Sequence, residues 1–101
     1  MADPDAIQEL AEFYFSQADQ EMAALEIALT SGVAEEVRRL AHRLLGASAG
    51  CGMVGMVGPL TELEQSAKGN NLANAGELFT RLVAILERSQ AEVAHWRASI
   101  N

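Results

Sequence analysis

The strongest constraint on this chain is the spacing of its apolar residues, which recur three and four positions apart through four successive runs and show no strand-like alternation. Ile7, Leu10, Phe13, Tyr14, Ala18, Met22, Leu25 and Leu29 mark the first run, from about Ala6 to Thr30. A break near Ser16, with Ser16 as a cap and Asp19 in the first turn after it, would divide this run into a short extra N-terminal helix and a longer one. Ser31-Gly32 is the first stop, and a second helix is expected from about Val33 to Gly50. Gly50, Gly52, Gly55 and Gly58 with Pro59 make the next stretch irregular, so the third helix begins at about Val54 or at Pro59 and runs to Lys68. Gly69-Asn70-Asn71 is the last turn. Asn71 would cap a final helix from Leu72 to about Ser99, with Leu78, Leu82, Ile85, Leu86, Val93, Trp96 and Ile100 on one face. Connections this short favour antiparallel neighbours, and the expected fold is an all-α, up-down four-helix bundle.

A chain of 101 residues supports one core, so residues 1–101 are read as a single domain. Half of the residues are apolar and five are aromatic, which suits packed helices. The net charge of −7 argues against nucleic acid, whose binding relies on lysine and arginine contacts to phosphate. One cysteine rules out an internal disulfide and fits a reducing compartment; Cys51 falls on the apolar stripe of the second helix and is expected to be a buried thiol. No stretch reaches the roughly 18 apolar residues that span a membrane. Met1-Ala2-Asp3-Pro4-Asp5 carries acids where a signal peptide carries bases, so a cytoplasmic protein with no membrane partner is expected.

The second helix holds the residue with the clearest chemical potential. At 3.6 residues per turn, Val33, Val37, Leu40, Leu44, Ala47, Ser48 and Cys51 fall on one face. Glu35, Arg38, Arg39, His42, Leu45, Gly46 and Ala49 fall on the other, which puts His42 in water. Gly46 and Ala49 lie one and two turns beyond the imidazole and leave the surface beside it bare. A mid-helix glycine costs roughly 1 kcal/mol against alanine. Close approach of a partner is one reason to tolerate that cost. A lone histidine is more often a solvated surface residue, and the sequence around it decides between the two readings.

Ala41, His42, Leu44, Gly46, Ala47, Ser48, Gly52, Met56, Leu63 and Glu64 together resemble the signature of histidine phosphotransfer, or Hpt, domains. The resemblance implies a four-helix bundle with the histidine exposed midway along one helix. It also implies a phosphorelay intermediate: His42 takes a phosphoryl group from an aspartate of a receiver domain and passes it to another receiver aspartate. The partners would be receiver domains of response regulators or hybrid sensor kinases, and the Mg2+ for the transfer would be held by the receiver. The chain itself would need no cofactor, would have no autokinase activity and would act as a monomer. Two positions depart from the family pattern. Leu45 stands where the family usually has a lysine, and Pro59 stands where a leucine is common.

Around His42 as phospho-acceptor, the expected supporting residues are Arg38, Arg39, Arg43, Leu45, Gly46 and Ala49. Arg38 and Arg39, one turn before the histidine, could supply the charge that Leu45 lacks, since guanidinium groups suit phosphate oxygens. Leu45 would add dry contact for a docked receiver. Pro59, tolerated in a first turn, would move the start of its helix. The alternative from a different class is a degenerate bundle that binds a receiver or kinase without carrying phosphate. No glycine-rich phosphate loop, G-x-S-x-G or nucleotide signature is present. His42 and His95 lie on different helices with no Glu-x-x-His motif, so no metal site is expected, and His95 beside Trp96 reads as structural or solvated. Met53 and Met56 read as core filling.

Overall fold

In the computed structural model, residues 3–100 are described, Ile100 by its backbone alone. The expectations for the Ile100 side chain and for Met1 and Ala2 lie outside the described residues. Among those residues there are four helices and no strand: α1 Pro4–Ser31, α2 Ala34–Gly50, α3 Val54–Lys68 and α4 Ala75–Ile100. Each helix packs on the next and α1 packs on α4, with the most extensive seam between α2 and α3. The result is an elongated bundle of 47 × 20 × 19 Å.

Local chemistry accounts for the ends of the helices. Asp3 caps α1, its carboxylate accepting from the Asp5 N–H at 3.1 Å, and Pro4 occupies the first turn, where its missing N–H is no loss. Gly32 closes α1 at φ 70°, a left-handed conformation that costs glycine nothing, while the Val33 N–H returns to the Ala28 carbonyl at 3.2 Å. After α3 the left-handed position falls on Asn70, at φ 57°, and not on the neighbouring glycine.

Tyr14, Ala18, Met22, Leu25 and Ala28 are buried in sequence along α1, meeting Val37, Leu40, Leu44, Met56, Leu60, Leu63, Leu78, Leu82 and Leu86 from the other helices. The spacing from Tyr14 to Ala18 crosses Ser16 without a change of face. The short extra N-terminal helix is therefore absent: α1 is one unbroken helix of 28 residues. α3 begins at Val54, the first of its two expected starts. Three further expectations are corrected. Pro59 does not move that start: it lies in the second turn, buried, where it leaves the Gly55 carbonyl without a helical donor. α4 begins at Ala75 because Asn71 caps a separate turn, accepting from the Ala73 N–H at 3.0 Å. Cys51 is exposed: α2 ends at Gly50, and the stripe that would have buried the thiol does not extend past that end.

α1 and α4 have 28 and 26 residues against 17 and 15 in α2 and α3, so the outer pair extends beyond the α2–α3 turn. At that level only the α2–α3 turn, through Cys51 and Met53, borders Ile7 and Leu10 of α1 and Val93 of α4 among the described residues. Ile7 and Leu10, expected on the buried face, stay exposed there, while Phe13 and Val33 point outward at 64% and 49% exposure. Ala47, on the edge of its stripe, is exposed as well.

Candidate functional site

The second helix has its buried side on Val37, Leu40, Ala41, Leu44 and Ser48, which turns His42 outward with 70% of its side chain exposed. Tyr14 and Ser48 share a buried hydrogen bond of 2.7 Å that ties α1 to α2 behind the site. Two turns of α2 and one of α3 then define the surroundings of the imidazole.

Glu64 reaches across from α3. Its Oε1 lies 2.9 Å from His42 Nδ1, with only 20% of the glutamate side chain exposed. A carboxylate accepts and does not donate, so this contact keeps the imidazole proton on Nδ1 and leaves the Nε2 lone pair free. The ring is thereby fixed in orientation as well as in tautomer. Sequence spacing orders residues within one helix and does not pair residues of two helices, so this contact is absent from the expected set of supporting residues. Its only signal is the Leu63-Glu64 pair in the resemblance.

The expected supporting residues divide between the two edges of α2. Gly46 is open: a Cβ built there meets no atom within 4 Å. Ala49 is exposed beyond it, so the surface next to the imidazole is as bare as the sequence indicates. Leu45 is half-buried and leans on the core. Arg38 donates to Glu35 through Nε at 3.0 Å, and Arg39 donates to Glu36 through Nε at 3.2 Å. Each arginine draws its neighbouring carboxyl below the usual carboxylate range by that hydrogen bond. Arg38 is held further into its charged range, chiefly by Glu35 with a smaller share from Glu64 of α3. Arg39 owes its corresponding shift chiefly to Glu36, with a smaller share from Glu21 of α1. Arg43 also turns to α1, where its guanidinium lies 3.2 Å from Glu21 Oε1. His95 is exposed on α4, away from this cluster. Among the described residues no group of three or more histidine, cysteine or acidic side chains is arranged to hold a metal ion.

The arrangement is an exposed imidazole with one ring nitrogen held, the other free and the flank open, which is what a nucleophilic nitrogen would need. The family model of the Hpt domain matches residues 9–92 of the chain. The chain belongs to the Hpt domain family. Hpt domains carry phosphoryl groups on histidine in phosphorelay signalling and interact there with receiver domains, as carriers rather than autokinases. No curated protein and no solved structure matches this Hpt domain. No helix among its described residues is long and apolar enough to cross a membrane.

Proposed function

We propose that this Hpt domain is a relay intermediate in which His42 Nε2 takes a phosphoryl group from the aspartyl phosphate of one receiver domain and delivers it to the aspartate of another. The observation that carries this reading is the contact between Nδ1 and Glu64 on an otherwise exposed imidazole. In the forward step the Nε2 lone pair attacks phosphorus, an N–P bond forms, and the bond from phosphorus to the aspartate oxygen breaks with its electron pair. The aspartate leaves as a carboxylate. The Nδ1 proton stays in place, the ring becomes positively charged, and the Glu64 carboxylate stabilises that charge. The return step runs the same bond changes backward onto a second aspartate.

The receiver would hold the Mg2+ and supply the second wall of the site. Its docked surface would close over Gly46 and Ala49 and make dry contact with Leu45. Within this reading residues 1–101 act as one cytoplasmic, monomeric domain.

Leu45, an apolar side chain in place of a cation, favours a second reading, a domain that docks without carrying phosphate. The two separate on one experiment. Wild type and His42→Gln are incubated with phosphorylated receiver domains, and acid-labile, base-stable phosphate on this chain is followed. Label on the wild type alone is expected. Binding of a receiver with no label on either protein would replace the relay with the docking reading.

A further inference from the structure

Resting on the relay reading, we infer that Arg38, and not Arg39, is the cation that holds the phosphoryl oxygens on His42. A phosphoryl group on Nε2 brings about two negative charges into a domain whose net charge is already −7, on a ring whose own positive charge is answered by the Glu64 carboxylate at Nδ1. The phosphoryl oxygens then need a counter-charge of their own.

The geometry of α2 distinguishes the candidates. At about 100° per residue, Arg38 and Leu45 project within about 20° of each other, one turn before and one turn after His42. They share one edge. Arg39 and Arg43 project from the opposite side of His42, and the partners of the two edges agree with this: Arg43 is bonded to Glu21 of α1, and Glu64 of α3 is the carboxylate that binds the imidazole. Arg38 therefore stands on the edge shared by His42 and Glu64, where Leu45 supplies no charge and Arg39 faces away.

Among the described residues Arg38 is held by Glu35 alone, through Nε and Nη2. That carboxylate is exposed at 74%, so water can take the place of the guanidinium on it. When the phosphoryl group arrives, the guanidinium exchanges one carboxylate for a phosphate, a better match for its planar fork. Glu35 returns to water, its ionised carboxylate fully hydrated.

Phosphoramidate tests this without a docked receiver. Its P–N bond breaks, ammonia leaves with a proton taken from solvent, and the phosphoryl group forms a new bond to His42 Nε2. Uptake is followed by 31P NMR on wild type, Arg38→Ala, Arg39→Ala and the double variant Arg38→Ala/Leu45→Lys. Arg38→Ala is expected to slow uptake about tenfold, and Arg39→Ala less than about twofold. Leu45→Lys in the Arg38→Ala background is expected to restore most of the rate, since it returns a cation to the same edge from the other side of His42. That rescue has no counterpart if Arg38 only supports the helix. Uptake by Arg38→Ala at the wild-type rate, an equal loss in Arg39→Ala, or failure of the rescue overturns the assignment and leaves the relay reading standing. A wild type that takes no phosphate overturns both.

Discussion

In the proposed relay, Glu64 would serve His42 in two separable ways, as an acceptor that fixes the tautomer and as a charge that answers the phosphorylated ring. Glu64→Gln keeps an acceptor oxygen and loses the charge. Glu64→Ala loses both. We expect the alanine variant to slow phosphoryl uptake on the order of tenfold and to shift the His42 tautomer ratio read by 15N NMR. The glutamine variant should keep the Nδ1–H tautomer with an intermediate rate. An alanine variant with wild-type tautomer ratio and rate would remove the positioning role. At this scale the sequence discloses His42, Gly46 and Ala49 clearly, because helical period alone sorts the faces of α2. It misplaces Cys51 because the period was extended past the end of the helix. It leaves Glu64 out of the supporting set because its contact depends on how α3 lies against α2, which no local pattern encodes.

The helices show why the site can be open without being weak. Gly46 stands mid-helix where a Cβ would meet nothing, so Gly46→Ala should stabilise the bundle by roughly 0.5–1 kcal/mol in thermal or urea unfolding. Gly46→Trp should leave the fold intact and still block transfer from a receiver, while uptake from phosphoramidate falls much less; equal transfer from the receiver would exclude steric access as the reason for the glycine. α1 and α2 are joined by the buried Tyr14–Ser48 hydrogen bond, and Tyr14→Phe should cost about 1 kcal/mol. Burial raises the Tyr14 phenol above its usual value of 10.0, against the opposing hydrogen bond from Ser48. Above about pH 10 the unfolded chain loses this proton while the folded chain keeps it, so the unfolded state binds fewer protons and stability falls with rising pH. That alkaline loss should be reduced in Tyr14→Phe, as read by denaturation across the range. Persistence of the full loss in the variant would place its origin elsewhere. Element boundaries are legible where a glycine sets the backbone, as at Gly32, whereas α1 starts at Pro4 under an Asp3 cap, ahead of the expected Ala6. They mislead at Pro59 and Asn71, where tertiary packing carries α3 through a proline and a capped turn delays α4.

The bundle as a whole depends on a single core drawn from all four helices, in which Leu25, Leu44, Met56, Leu60, Leu63 and Leu82 are almost fully enclosed. Leu82→Ala, on the helix farthest in sequence from His42, should destabilise the domain by about 2–5 kcal/mol in urea unfolding. That is a large share of the total for a domain this size. The four-helix architecture is legible from the apolar spacing, whereas the projecting ends of α1 and α4 are not, because exposure there depends on the shorter lengths of α2 and α3 beside them. The pairing of His42 with a residue 22 positions away has a bearing on cellular signalling. A fragment carrying α2 alone holds the histidine but not the carboxylate, and an unfolded chain holds both without bringing them together. On the relay reading, message-carrying capacity would be tied to folding, and a domain that begins to melt would lose transfer in step with the fraction of molecules that remain native.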